Sequence, residues 1–269
     1  MTTALLAPRV AADLVDELLL YARLQLVKAS RPRGTHDRQA LFGRVVPDFA
    51  ADLAAYFEGL ADRLSRRVHK ALPDDWLNGA VEWDVEEREL NAVIGRWYET
   101  LGQEAYASVS AELAADVRWD LNNRGVKQVL DRVGQQVKDI NEVSRTYLQT
   151  KVEQAVDHGY SVEQLIRGEP ADGWGGIRQL VDSWASTPEG GTQSRAYTIA
   201  LTETGNAMNL ASVNAYRDSG LVEQVEVLDG DGCEACAEIN GQIWTLDEAE
   251  ANPLEHPNCT RSFSPVVLR

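Results

Sequence analysis

Apolar residues recur at intervals of three and four through most of the first 160 positions, so this part of the chain reads as helix after helix. The clearest stretch runs Val133, Val137, Ile140, Tyr147, Leu148, Val152, Ala155 and Val156, a stripe on one helical face. A single helix of that length exceeds the usual span. A break is therefore expected near "DINE" (139–142), with Asn141 capping the second piece. His158 followed by Gly159 predicts a helix end: a basic group near the last carbonyls, then a residue tolerant of positive φ. Ser161 and Gln164 have capping-box spacing for a short helix that Gly168 ends. Residues 168–194 are rich in Gly, Pro, Ser and Thr around one apolar piece, 177–184, and are expected to form a flexible segment or domain boundary.

"SRAYTIALTETGNAMNLASVNAYRDSG" then predicts a long helix capped by Ser194 and closed at Gly220. Ala196, Ile199, Ala200, Ala207, Leu210 and Ala211 share one narrow face, with Glu203 and Asn214 in its middle. Small residues let another element approach closely, so Glu203 should be partly buried and need a partner. The blander role for Glu203 is a structural ion pair with an arginine elsewhere. The sharper one is a catalytic carboxylate, for which the sequence offers no companion motif.

After residue 220 the period shortens to two. "VEQVEVL", "QIWTL" and "SFSPVV" are β-prone, and Asn240-Gly241 is a tight-turn signal ahead of the second. Thr245 and Glu248 form another capping box, predicting one helical turn before Asn252-Pro253. The fold class is α+β and mostly α: a helical N-terminal half, a long central helix and a small C-terminal β module over 221–269.

Length and charge narrow the function classes. At 269 residues the chain can hold two domains, or one with an extension. No run reaches the eighteen or so apolar residues of a membrane helix. The opening "MTTALLAPRVAADLVDELLL" lacks a basic start and is interrupted by Asp13, Asp16 and Glu17, so an amphipathic helix of a cytosolic protein is expected. Of the net charge of −16, residues 1–72 contribute +3 (eleven Lys/Arg against eight Asp/Glu) and the remainder −19. That acid excess disfavours general nucleic-acid binding, because counterion release would have the wrong sign. The basic cluster "RLSRRVHK" (63–70) is read as a solvated helix face rather than a docking patch.

All three cysteines and one of the four histidines fall between positions 233 and 259. Cys233 and Cys236 are separated by two residues, as are His256 and Cys259. Two close pairs, giving three thiolates and one imidazole, suit a closed tetrahedral Zn2+ site, structural rather than catalytic. Gly232 and Pro257 are expected to keep both pairs out of regular helix. A disulfide would leave one cysteine over and does not suit a chain without an export signal. A redox pair would open a helix after a strand, a context the sequence does not display. No histidine is followed by x-Glu, which removes the deaminase signature. Unliganded core cysteines remain the plain alternative.

With these residues placed, residues 126–269 resemble the phage Mu F-like head morphogenesis, or minor capsid, proteins of tailed bacteriophages. Three stretches carry the likeness in order. "VKDINEVSRTYLQTKVEQAVDHGYSVEQLI" is similar to the family's helical lead-in. Arg195, Ala196, Ile199, Ala200, Thr202 and Glu203 match its Arg-Ala-x-x-Ile-Ala-x-Thr-Glu helix. Cys233, Cys236, Asn240, Gly241, Pro253, His256, Pro257, Asn258 and Cys259 match its terminal cysteine module. Thr260 and Arg261 follow Cys259 where members often carry a basic residue or another cysteine directly, which leaves the quartet as the ligand set. The resemblance implies a low-copy virion protein acting beside the portal during head assembly, with the major capsid or scaffolding protein as further partners. It also implies an influence on genome packaging or release. Its place is the phage head or portal vertex, and the host cytoplasm during assembly. Neither a membrane nor a specific nucleic acid is expected. It is silent on residues 1–125, an N-terminal helical region without a recognised motif, and it supplies no catalytic residue. The competing expectations are a head-associated enzyme, such as a maturation protease or toxin-like transferase, and a zinc-finger nucleic-acid binder. No G-x-S-x-G or H-E-x-x-H motif supports the enzyme.

Overall fold

A computed structural model describes residues 34–68, 81–185, 194–229 and 233–267. The predicted amphipathic helix at the N-terminus and residues 69–70 of the basic cluster lie outside them. In chain order the helices are α1 (Gly34–Val68), α2 (Trp83–Leu113), α3 (Arg124–Asp157), α4 (Val162–Arg167), α5 (Gly176–Ala185) and α6 (Arg195–Ser219). Strand β1 (Val222–Leu228), helix α7 (Glu234–Ile239), strand β2 (Ile243–Thr245), helix α8 (Leu246–Ala251) and strand β3 (Ser262–Val267) follow. The strands form one antiparallel sheet in the order β2-β1-β3. The chain is thus mostly helical, with a small three-stranded sheet near its C-terminal end.

Helix α6 sits at the centre, packed by α1, α2 and α3 on its bundle sides and by α8, β1 and β3 elsewhere. That position explains a pattern the sequence made look narrow. Ala196, Ala200, Ala207 and Leu210 are buried as predicted, but so are Thr204, Gly205, Asn206, Asn209, Val213 and Tyr216. A helix covered on nearly every side needs small or satisfied polar residues around its circumference. One cluster of buried side chains joins Phe49, Phe57, Leu90, Ile94 and Leu101 to Val137, Val152, Ile177, Ala200 and Leu210. A second joins Tyr106, Val109 and Leu113 of α2 to Val213, Val225, Val227 and Phe263. Helices and sheet therefore share core side chains.

Several expectations are corrected. Helix α3 runs unbroken through 139–142, and Asn141 is a buried mid-helix residue, not a cap. Val126, Val129, Val133, Val137, Leu148, Val152 and Ala155 keep the three-four rhythm, with Asn141 and Ser144 occupying its midpoint. Those two polar residues serve partners from other helices: Tyr56 Oη donates to Asn141 Oδ1 at 3.5 Å, and Arg195 donates to Ser144 Oγ at 2.9 Å. Tyr147 and Val156, counted in the apolar stripe, are exposed. In the expected flexible segment 168–194, residues 176–185 form α5, which packs on α1 and buries Ile177, Val181 and Trp184. Residues 186–193 lie outside the described ones. The punctuating Gly and Pro residues shape turns between packed pieces here: Gly168, Gly173 and Gly176 all take positive φ.

Other boundaries fall where predicted. Ser194 caps α6 and Gly220 closes it at φ 65°. Both capping boxes are formed, and His158 Nδ1 lies 2.6 Å from the Gln154 carbonyl ahead of Gly159. In the basic cluster, Arg63 forms a two-pronged contact with the buried Glu86, and Arg67 reaches Glu82. Arg63 is thus a part-buried partner of Glu86, while Arg66 of the same cluster is exposed as expected of a solvated face.

Candidate metal centre

Register brings the two close pairs together. Leu228 of β1 faces Ser262 of β3, so the chain leaving β1 and the chain entering β3 lie side by side. Cys233 and Cys236 follow the first strand, and His256 and Cys259 precede the second. Cys233 is the N-cap of α7, its Sγ accepting the Cys236 N–H at 3.3 Å. The first pair therefore opens a short helix after a strand. This corrects the expectation that both pairs avoid helix, and it is the local context of a redox pair that the sequence did not display. Convergence with a histidine and a third cysteine sets the site apart from such a pair. Asn240 and Gly241 form the predicted turn, closed by Gln242 N–H on the Ile239 carbonyl at 3.0 Å. Gly241 holds φ 82°, and Asn240 Oδ1 also accepts the Asp229 N–H at 3.0 Å.

His256 Nε2 lies 3.2 Å from Cys233 Sγ and 3.2 Å from Cys236 Sγ, and Cys236 Sγ lies 3.9 Å from Cys259 Sγ. A tetrahedral ion with bonds of about 2.3 Å to sulfur and about 2.0 Å to nitrogen holds its ligand atoms roughly 3.5–3.8 Å apart. The three separations bracket that range. The Nδ1 edge of His256 faces the Pro257 carbonyl at 2.8 Å. A carbonyl only accepts, so Nδ1 carries a proton, and in the neutral ring Nε2 would then offer its lone pair toward the sulfurs, the usual support for a metal-binding imidazole. Cys236 and Cys259 are fully buried and no disulfide links the three cysteines. Burial, with Cys233, Cys259 and Asp229 beside it, pushes the Cys236 thiol well up. A bound cation would reverse that. The Cys233, Cys236, His256 and Cys259 cluster could hold a metal ion.

Sequence reasoning missed two residues here. Asp229 directly follows β1 and Arg261 directly precedes β3. Their side chains are fully buried and paired at 2.9 Å. Arg261 also donates to the Asn252 carbonyl at 2.8 Å and Glu255 Oε2 at 2.9 Å, and its guanidinium stacks over Trp244 at 5.1 Å. Cys259 Sγ lies 3.7 Å from both Asp229 oxygens. The donors thus fall into two overlapping triads that share Cys236: Cys233, Cys236 and His256, and Asp229, Cys236 and Cys259. The sequence signal was weak, an arginine directly ahead of a β-prone run, and many arginines stand at such positions without being buried.

Of the helix-motif residues, Ala196, Ala200 and Glu203 are buried and Arg195, Ile199 and Thr202 are partly buried. Glu203 is buried, and Tyr98 Oη donates to its Oε2 at 2.6 Å while Asn206 Nδ2 stands 3.4 Å from each carboxylate oxygen. Its partner is a phenol and not the expected arginine. Burial pushes Glu203 up to about 7 against the lowering effect of those hydrogen bonds. Arg195, the arginine of the same motif, donates to the Ile140 carbonyl at 3.1 Å and stacks over Trp184 at 4.5 Å. Burial lowers it to about 10. Thr202 Oγ1 accepts the Asn258 N–H at 3.1 Å, and Asn258 takes φ 64° between His256 and Cys259.

Fold and site define a mostly helical protein with a small β module that carries a Cys/His cluster able to accept a metal ion. No protein-family model, characterised protein or solved structure matches the chain.

Proposed function

We propose that this protein is a minor capsid protein of a tailed phage, of the Mu F-like head morphogenesis kind, which joins the head by binding the portal. In this reading Cys233, Cys236, His256 and Cys259 hold one structural Zn2+, which supplies folding energy to a module with a small core of its own. The observation that carries the reading is the mutual packing of the three stretches that resemble the family. Arg195 of the helix motif bonds the lead-in helix at Ile140 and Ser144. Thr202 of the same motif bonds the cysteine module at Asn258. Each of the three stretches thereby completes the hydrogen bonding of the next. Burial of Glu203 against Tyr98 supports a structural part for that carboxylate over a catalytic one. The acid excess beyond residue 72 favours a protein partner over DNA. Copies reside in the head interior or at the portal vertex, and in the host cytoplasm before assembly.

The test is co-expression with the portal protein of the same phage, followed by isolation of the portal at moderate salt. Both proteins should be recovered together, and this chain should appear in purified virions by mass spectrometry. Absence from both preparations would overturn the reading.

A further inference from the structure

We infer that Thr202, Gly205 and Asn209 of α6 are positioning residues of the metal centre: the central helix, not the β module alone, builds the His256–Cys259 half of the ligand set. The inference rests on the metal-centre reading above and goes beyond it by assigning metal affinity in part to the helical bundle.

Residues 252–261, between α8 and β3, form no regular element. Within this stretch the Cys259 N–H bonds the His256 carbonyl at 3.1 Å, closing a turn whose third residue, Asn258, is left-handed at φ 64°. Asparagine takes this left-handed place more readily than other residues with side chains, so the turn is built locally and what remains to be supplied is a partner for its N–H. The turn is what puts both ligands on one side of the loop. Its outward N–H, that of Asn258, finds its acceptor on a different element, at Thr202 Oγ1. The Thr202 proton is already committed to the Thr198 carbonyl at 2.8 Å, so a lone pair is what faces Asn258.

Thr202, Gly205 and Asn209 fall within about 60° of one another around the helix at 3.6 residues per turn. All three meet the same loop. A Cβ at Gly205 would stand 3.1 Å from the Leu254 side chain, a tight contact in which that side chain would have to shift, so the helix lies close against the loop here. Asn209 Nδ2 donates to the Pro253 carbonyl at 2.7 Å and to the Arg261 carbonyl at 3.0 Å, gripping the loop on both sides of the ligands. The loop is therefore held from outside at 253, 258 and 261, with His256 and Cys259 between the grips.

The experiment uses the full chain and zinc, with affinity read by competition against a chromogenic chelator, and cobalt(II) absorption as a report on thiolate ligation. Thr202→Val keeps the shape of the side chain and removes the acceptor. It should weaken zinc binding about 10- to 100-fold, the usual effect of losing support around a metal ligand. Melting of the zinc-loaded protein should fall by more than that of the metal-free protein, because the variant loses zinc affinity as well as one hydrogen bond. Thr202→Ser restores the hydroxyl and should restore affinity. If Thr202→Val does not fold, Asn209→Ala carries the same test with the same expected direction. Variants that fold and bind zinc as tightly as the wild type would overturn the inference and leave the metal centre standing, as would a failure of Thr202→Ser to recover affinity. A wild-type protein that takes up no zinc would instead remove the metal-centre reading itself.

Discussion

At the scale of single residues, the charges that matter are the buried ones. Glu203 is pushed up from 4.5 to about 7 by burial, with Tyr98 and Asn206 holding its oxygens. A carboxyl whose folded value lies above its unfolded one favours folding in its protonated form. Its contribution is complete below about pH 4.5 and is lost as pH rises through about 7. A shift of that size corresponds to about 3 kcal/mol, as an order of magnitude. Thermal melting of the wild type should therefore lose stability between pH 4.5 and pH 8, and Glu203→Gln should flatten that slope. Glu112, also raised by burial, remains in both proteins, so the difference isolates Glu203. Equal slopes in the two proteins would count against a buried, proton-sensitive Glu203. At neutral pH, Glu203→Ala should cost roughly 1–3 kcal/mol, because the Tyr98 hydroxyl loses its acceptor in a dry interior.

At the scale of elements, what the sequence made legible were boundaries. Ser194, Gly220, Ser161 with Gln164, and Thr245 with Glu248 act locally, through their own hydrogen bonds and φ values, so their signals survive in any fold. The continuity of α3 was not legible, because Asn141 and Ser144 look like a break until Tyr56 and Arg195 are known to face them. A close approach of the same kind occurs at Gly102 on α2. There the space of an added Cβ is already filled by the Trp119 indole, which packs edge-on against Tyr106 at 5.4 Å between centroids. Gly102→Ala raises helix propensity by roughly 1 kcal/mol, yet it must displace a ring, and overpacking of this kind costs roughly 1–3 kcal/mol. The variant is expected to unfold at lower denaturant than the wild type. A stabilised Gly102→Ala would mean that Trp119 is not tied to this position.

At the scale of the molecule, the β module and the bundle are joined by shared core residues, by Thr202 and Asn209, and by the close approach at Gly205. Metal removal should therefore be felt beyond the module. The purified protein is expected to contain one zinc per chain by elemental analysis. Apparent binding free energies at structural zinc sites run on the order of 10–16 kcal/mol in small zinc peptides, so chelation should lower the melting temperature clearly. Cys259→Ser should melt lower than the wild type and hold zinc more weakly. Metal-free protein that melts with the zinc-loaded form would rule out a structural role for the ion.

By itself the sequence determined the mostly helical class, the three β-prone runs, the caps at Ser161, Ser194 and Thr245, and which cysteines and histidine could meet. Periodicity, capping and ligand spacing are all properties of short stretches. Only the tertiary structure decided that Glu203 meets a phenol, that Asn141 lies mid-helix, that 176–185 is packed, and that Asp229 and Arg261 stand behind Cys259. Each of these depends on which side chain from a distant stretch fills a buried position. A polar residue in a buried position is stable only with its partner, and that partner lies 105 residues away for Glu203 and 85 for Asn141.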